Sequence, residues 1–207
     1  MMKRKIDDIV WREIVWDRKF ELEDVHDLLM HLASHVPQAT LIWETRGQNG
    51  HVRYLLGADR EYISILEKVF HAHGHIRFYD MPPQTRVAIR IAKRLRITKP
   101  TLSLQTDIST AVIRAGLAAM VVAWGGGEET VLQIVLGPSY APTTLPKYLP
   151  DPHASFLQII LGNVTQASPE SRNSAKEKSQ HHGFFATIRI GSSGENTFGH
   201  IYGILRP

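Results

Sequence analysis

The sequence predicts an α+β protein built from two successive units, each an antiparallel sheet with helices packed on one face. Segments with apolar residues at helical spacing alternate with shorter segments rich in β-branched and aromatic residues. An Asn-Gly dipeptide lies between two apolar segments, which is typical of a tight hairpin. The 207 residues, 43% of them hydrophobic, are enough for one large or two small globular domains.

The first unit is predicted over residues 1–83. Its expected elements are, in order, a strand at Ile9–Trp16, a helix at 21–36, two hairpin strands around the turn at 47–50, a helix at 60–73 and a strand at 75–79. The helices are ended by Pro37 and Gly74. The order β-α-β-β-α-β is the split βαβ or ferredoxin-like pattern.

The second unit is predicted over residues 84–207 as a related ferredoxin-like arrangement. Its expected elements are a strand at 86–98, a helix at 108–124, a short strand at 131–136, a short helix at 156–161, a helix from 168 to 182 and a strand at 184–190. Five prolines between 138 and 152 predict a long surface insertion. A last helical stripe begins at residue 196 and stops at 207, so we expect the chain to be part of a longer protein, cut before a further domain.

Motifs for catalysis and nucleotide binding are not found in the sequence. A phosphate-binding loop needs GxxxxGK(S/T), whereas the glycine-rich residues 125–127 precede two acids, which would repel phosphate. The GxSxG motif of a serine nucleophile is also missing. The chain has no cysteine, which excludes thiolate zinc sites and cysteine nucleophiles. We therefore predict a protein that is not an enzyme, with no catalytic residues and no cofactor.

Eleven histidines raise the question of a metal site. His31 and His35 lie one helical turn apart, but a metal-dependent hydrolase usually places a glutamate after the first histidine of such a pair, and Leu32 is found there. His71 and His73 would lie on different sides of a helix. The sequence therefore predicts no metal ligands, and a metal-dependent hydrolase is the least favoured alternative.

One basic segment stands out from the background. Residues 86–99 contain six cations and no acid: Arg86, Arg90, Lys93, Arg94, Arg96 and Lys99. On a strand, Arg90, Arg94 and Arg96 would share one face, where they could contact a phosphate backbone. No aromatic residues lie between them to stack on bases. A solvated face or a protein interface is the favoured interpretation, and nucleic-acid binding is the alternative.

The charge and the apolar segments of the sequence indicate where in the cell the protein is expected to work. The net charge is only +4, which by itself says little about nucleic acid. No apolar stretch follows the basic N-terminus as it would in a secretion signal. The longest strongly apolar run, residues 115–124, is about half of the ~20 residues that a membrane span needs. We expect a cytoplasmic protein that inserts into no membrane and is associated with one only through partners.

Three stretches of the sequence carry a family resemblance: residues 43–58, 132–142 and 161–191. In them the chain resembles the N-terminal region of conjugative-transfer ATPases of Gram-positive bacteria, especially actinobacteria, within the type IV secretion and DNA-pumping group. In the wider group, a lysine-containing helix followed by Gly-Phe and an arginine commonly precedes the motor domain. Four residues match that pattern: Lys178, Gly183, Phe184 and Arg189.

The resemblance implies a parent protein with a RecA-like motor that carries the Walker motifs. Those motifs are not in these residues, so the resemblance transfers no catalytic residue. It implies instead an accessory and oligomerisation role, with self or sibling subunits, membrane channel proteins or DNA as the expected partners.

Overall fold

The structure, a computed structural model, describes residues 8–17, 21–74, 76–81, 85–95, 110–122, 127–195 and 198. The strands in these residues are β1 (Ile9–Trp16), β2 (Leu41–Gln48), β3 (His51–Asp59), β4 (Ile76–Asp80), β5 (Ile91–Leu95), β6 (Thr130–Tyr140) and β7 (Gly183–Ser192). The helices are α1 (Leu22–His35), α2 (Ile63–His73), α3 (Thr110–Val121), α4 (Phe156–Ile160) and α5 (Pro169–Ser179). The α+β class predicted from the sequence is confirmed.

All of the described strands belong to one antiparallel sheet with the order β4-β1-β3-β2-β6-β7-β5. The first half of the chain supplies the four strands on one side. The second half adds its strands to the free side of β2, beginning with β6. Two ferredoxin-like units in tandem are not confirmed, because the described strands of the second half extend the first sheet rather than form another.

The hairpin between β2 and β3 follows from its turn residues. Asn49 (φ 49°) and Gly50 (φ 81°) both have left-handed backbone conformations. Such conformations suit the two-residue turn whose twist matches that of the flanking strands. The turn sets Gln48 opposite His51, and this register continues to Leu41 opposite Ala58.

The hydrophobic core lies on one face of the sheet, beneath α1 and α2. Because side chains alternate along a strand, β1, β2 and β3 turn Ile14, Trp43 and Leu56 toward these helices. Leu32 of α1 and Phe70 of α2 are almost fully buried against them. The apolar face is the name used below for this side of the sheet, which continues through the cross-strand pair of Ile134 and Ile188.

The opposite side of the sheet is called the polar face here. It is formed by the residues that alternate with those of the apolar face. One cross-strand row of it contains Glu13, Leu55, Glu44, Gln133, Arg189 and Arg94.

The connection between β4 and β5 passes over the polar face, because these two strands form the opposite edges of the sheet. Six inter-strand steps at ~4.8 Å amount to about 29 Å. Ten residues separate the two strands and reach at most about 36 Å when extended.

Residues 85–90, called the crossing segment, are the described part of this connection. Arg86 lies over Trp11 of β1, the Val87 carbonyl accepts a hydrogen bond from Arg46 of β2, and the backbone N–H of Arg90 donates to Ser192 of β7. The prediction of one strand from 86 to 98 is therefore wrong at its start. Residues 85–90 run across the other strands, and β5 begins only at Ile91.

The predicted short strand at 131–136 is longer in the structure. β6 continues through Pro138 to Tyr140, with a register shift between Leu136 and Ser139. An irregularity of this kind accommodates proline, which has no N–H to donate to the ladder. Beyond it, Ser139 donates its backbone N–H to Pro37 and its hydroxyl to the Ala33 carbonyl, which ties the strand to the end of α1.

Two predicted helices have different bounds, and one lies mostly outside the described residues. α3 ends at Val121 rather than at residue 124, while its predicted start at 108 lies outside the described residues. α5 ends at Ser179 rather than at residue 182. The helix predicted at 196–205 lies outside the described residues except for Phe198.

Candidate functional site: charged groups beneath the crossing segment

The polar face contains buried charges next to the middle of the sheet. Glu44 and Arg46 lie on the same side of β2 because they are two residues apart, and Glu129 precedes the first residue of the neighbouring β6. Their exposed fractions are 1%, 3% and 3%. Arg46 Nε donates to Glu44 Oε2 at 2.8 Å, and its Nη1 lies 3.0 Å from Glu129 Oε1. One guanidinium therefore serves two buried carboxylates.

The crossing segment supplies a second cation to this cluster. Arg86 Nη2 lies 2.7 Å from Glu44 Oε1, and the same oxygen accepts a 2.7 Å hydrogen bond from Gln133 Nε2. Arg46 Nη1 also donates to the Val87 carbonyl at 3.1 Å. The two acids are thus balanced by two arginines. The same bonds fasten the crossing segment to the sheet.

Arg86 is further held by packing on an aromatic ring. Its guanidinium carbon lies 3.6 Å from the centre of the Trp11 ring. The same ring lies close to Gly57, the residue opposite Trp11 on β3, where an added Cβ would lie 2.8 Å from a Trp11 ring carbon. Glycine at this position lets the indole lie close to the backbone of β3, and the arginine then packs on the indole.

The environment of Glu44 fixes its protonation state. Burial by itself raises the pKa of this carboxyl, but the charge of Arg46 and its hydrogen bond oppose that effect, with help from Arg86 and Gln133. The pKa of Glu44 is lowered overall. The residue therefore remains ionised at neutral pH and acts as an anion that holds two arginines, rather than as a general acid.

The structure separates the six cations of the predicted basic segment. Arg86 is taken up in the internal ion pair with Glu44, and Arg96 and Lys99 lie outside the described residues. Lys93 is turned to the apolar face, with its ammonium 5.7 Å from the centre of the Phe198 ring. Arg90 is exposed at the end of the crossing segment.

Arg94 has a neighbour that the basic-segment prediction did not include. It lies on the polar face directly opposite Arg189 of β7, and both side chains are exposed. Arg189 Nη1 has a hydrogen bond of 3.4 Å to Gln133 Oε1. Within the described part of the chain, no ion pair is found for Arg90, Arg94 or Arg189. Like charges placed opposite each other on a sheet are destabilising unless an anion lies between them.

A cavity of about 310 Å³ lies between the crossing segment and the sheet. Its lining joins the internal cluster to the exposed cations and includes Glu44, Arg86, Gln133, Arg189 and Ile89. The sequence predicted Arg86 for this region but not Glu44, Glu129 or Arg189 as its neighbours. From the sequence alone, only the pair of Glu44 and Arg46 could have been predicted, because residues two apart on a strand lie on the same face. Their neighbours from β6 and β7 cannot be predicted without the order of the strands in the sheet.

The histidines form a different cluster from the one considered in the sequence. His31 and His35 lie one turn apart on α1, with ring centres 4.2 Å apart, but His31 Nδ1 is also 2.9 Å from His73 Nε2 of α2. The pKa of His31 is lowered by desolvation, then by the charges of His35 and His73. His75 lies outside the described residues. Within the described ranges, no group of three or more His, Asp or Glu side chains is placed to hold a metal ion.

α4 carries an exposed apolar surface that the sequence analysis did not single out. Leu157, Ile159, Ile160 and Leu161 are between 59% and 68% exposed. The signal was present, because an apolar run on a five-residue helix cannot turn all its side chains to one side. Among the described helices, none is long and apolar enough to cross a bilayer.

Comparison with protein-family models, with curated proteins and with solved structures finds no match to this chain.

Proposed function

We propose that this chain is a non-catalytic accessory and oligomerisation module of a conjugation-type ATPase. The observation that carries the proposal is where the three resembling stretches lie. Residues 43–58 form most of the β2–β3 hairpin, residues 132–142 lie mainly in β6, and residues 161–191 include α5 and most of β7. Far apart in sequence, they contribute to four adjacent strands, β3-β2-β6-β7. The resemblance is thus concentrated in one scaffold, and the ATPase class rests on that resemblance alone.

The use of the buried charges supports a non-catalytic role. Glu44, Arg46 and Glu129 are paired with each other and with Arg86, and these contacts hold the crossing segment. A catalytic acid or base usually needs a pKa near neutrality, whereas the pKa of Glu44 is lowered. The arrangement supports a structural role for these residues.

The proposal also includes a ferredoxin-like fold for the first part of the chain. The first six elements give the strand order β4-β1-β3-β2 with α1 and α2 on the apolar face, and we assign them to a ferredoxin-like unit. In this assignment β6, β7 and β5 are an extension of that unit.

The test has two parts. The purified chain is assayed for ATP binding and hydrolysis, and proteins that co-purify with it from its native host are identified by mass spectrometry. We expect neither binding nor hydrolysis, together with a GxxxxGK(S/T) motor on an associated polypeptide or on a longer form of this chain. Hydrolysis that survives repurification, or partners that lack such a motor, would overturn the proposal.

Nucleic-acid binding is the second candidate, favoured by the exposed cations. Arg90, Arg94 and Arg189 lie near the β5 edge without ion pairs among the described residues. The phosphate groups of a nucleic acid would give these arginines anionic partners. Binding of a fluorescent DNA duplex is measured by anisotropy over a salt series. Removing one arginine that binds a phosphate should reduce the slope of log K against log salt by about 0.9.

The variant for this test is Arg94→Gln, and Arg114→Gln is its matched control, since Arg114 is an exposed arginine on α3. If DNA is bound through the polar face, Arg94→Gln lowers both the affinity and the salt slope, and Arg114→Gln changes neither. Equal effects of the two substitutions, or no DNA binding by the wild type at low salt, would refute this candidate.

A further inference from the structure

The cavity of about 310 Å³ between the crossing segment and the sheet has an excess of positive charge. Of the described residues that line it, one is an acid, Glu44, and three are arginines, Arg46, Arg86 and Arg189. Arg46 is also shared with Glu129, so this group contains three cations and two anions. The excess is one positive charge, which one carboxylate would balance.

Two donors of the lining are available to such an anion. Arg86 gives its Nη2 to Glu44, but its Nε is buried and has no hydrogen-bond acceptor among the described residues. A buried charged donor without an acceptor is costly. The exposed guanidinium of Arg189 has a 3.4 Å contact to Gln133 Oε1, and no ion pair is found for it in the described part of the chain. An anion in the cavity would accept hydrogen bonds from both arginines.

Gln133 holds these two arginines in relation to each other. It lies between Glu44 and Arg189 in one cross-strand row of the polar face. Its Nε2 donates to the Glu44 oxygen that Arg86 also contacts, and its Oε1 lies on the side of Arg189. The amide is therefore fixed in orientation, and the two guanidinium groups reach the cavity from adjacent positions.

The rest of the described lining is apolar and restricts the kind of anion that fits. Ile89 of the crossing segment lies against the backbone of β7, since an added Cβ at Gly191 would lie 2.6 Å from Ile89 Cγ2. Val131 and Ala92, which pair with Gly191 on the two neighbouring strands, also line the cavity. Ligand sites usually combine such apolar walls with a few polar groups, and this volume lies at the small end of their range. A small organic molecule would cover the apolar wall, whereas an inorganic ion would not.

We propose that this cavity binds a small organic acid, whose carboxylate lies between Arg86 and Arg189. The apolar part of the acid lies against Ile89, Val131 and Ala92. This site goes beyond the proposed accessory function and does not depend on it. It also differs from nucleic-acid binding, because a DNA duplex cannot enter a cavity of this size.

Nuclear magnetic resonance titration of the ¹⁵N-labelled chain tests the proposal with butyrate, acetate and inorganic phosphate as sodium salts. A Tris-chloride buffer of constant ionic strength keeps the screening of the arginines unchanged. Butyrate should shift the amide signals of residues 86–90 and of Arg189, with a dissociation constant on the order of 1 mM for so small a ligand. Acetate should bind several-fold more weakly, since each buried CH₂ favours binding about fourfold.

Three variants locate the bound anion. Arg189→Gln should raise the dissociation constant for butyrate at least about tenfold, because it removes a charge-assisted hydrogen bond. Arg114→Gln, at the exposed arginine on α3, should leave it unchanged. Ala92→Phe should abolish binding, because the ring fills the cavity while every arginine remains in place. Circular dichroism and a thermal melt verify that the variants are folded.

Four results would overturn the proposal. The first is a wild-type spectrum that none of the salts changes at concentrations well above the expected dissociation constant. The second is an equal effect of Arg189→Gln and Arg114→Gln, and the third is binding that survives Ala92→Phe, since the anion would then lie on exposed arginines. The fourth is acetate or phosphate that binds as tightly as butyrate. Tighter binding of phosphate would indicate a second cation at the site, which Arg94 opposite Arg189 would supply.

Discussion

The two faces of the sheet are stabilised by different forces, although both are covered by the same chain. The apolar face is packed under α1 and α2, with Leu56, Leu66 and Phe70 almost completely buried. The polar face buries Glu44 and Arg46 to the same extent, but they are held by ion pairs beneath the crossing segment. Apolar packing tolerates adjustment, whereas a buried charge depends on its specific partners of opposite charge. The faces should therefore respond differently to mutation and to pH.

The largest effect is expected on the polar face, from Arg46→Met. The substitution removes the partner that Glu44 and Glu129 share, and breaking a buried pair in this way costs about 5 kcal/mol, at the upper end of the usual range, since two carboxylates lose the same cation. Urea denaturation at neutral pH measures the loss. Arg53→Met is the control, because the pair of Arg53 with Glu13 is partly exposed and should contribute no more than about 1 kcal/mol.

The pH dependence of this variant sharpens the comparison. In the wild type the pKa of Glu44 is lowered, so its contribution is present above the ordinary value of 4.5 and is lost as pH falls through the lowered pKa. Without Arg46, only Arg86 and Gln133 still oppose the effect of burial, so the pKa of Glu44 should be higher than in the wild type, and the variant should lose less stability near pH 4.5 than at neutral pH. A destabilisation that is the same at both pH values would contradict this account.

The next largest effect is expected on the apolar face, from Phe70→Ala. The ring is buried between α2 and the sheet and contacts Phe78 edge-on, with centroids 5.8 Å apart. Its removal should leave a cavity and cost about 4 kcal/mol in free energy of unfolding. Because no charge is involved, the loss should be nearly independent of pH between about 5 and 8. Denaturation at several pH values compares it directly with Arg46→Met.

The same contrast explains how far the sequence could predict the fold. The elements of the apolar face follow from local periodicity, and β1 has the predicted bounds, Ile9–Trp16. The crossing segment was wrongly predicted as a strand, because its alternating apolar and basic residues resemble one. Its path is decided by the strand order, which places β5 at the edge opposite β4. No local pattern specifies that order.

The candidate site was predictable to the same limited extent. The cations of the basic segment are visible in the sequence, but their partners are not. Glu44 is 42 positions from Arg86, and Arg189 lies still further from Arg94. Which arginine is paired internally and which stays exposed depends on residues that meet only when the second half of the chain extends the first sheet.

A smaller effect is expected from loosening the crossing segment with Arg86→Met. The side chain is partly exposed, so removing its bond to Glu44 and its packing on Trp11 should cost about 1–2 kcal/mol. Hydrogen exchange at the Arg90 amide, which donates to the Ser192 carbonyl, should become faster. Arg86→Lys is the informative companion. Lysine keeps the charge but cannot stack flat on the indole. The stability of this variant and its exchange rate at the Arg90 amide should therefore lie between those of the wild type and of Arg86→Met. Unchanged exchange in both variants would mean that the segment is held by other contacts.

The smallest effect concerns His31, at the contact between α1 and α2. Its pKa is lowered by desolvation and by His35 and His73, so around pH 6 the folded state binds fewer protons than the unfolded state. Stability should therefore rise with pH from the lowered pKa up to the ordinary value of 6.5, and fall as acid protonates His31. His31→Gln should flatten this part of the curve, measured by urea denaturation from about pH 5 to 7.5. His153→Gln, at a histidine far along the chain in the β6–α4 connection, should leave the slope as it is. An equal slope in all three proteins would show that the imidazole contact between α1 and α2 does not govern the pH response of the apolar face.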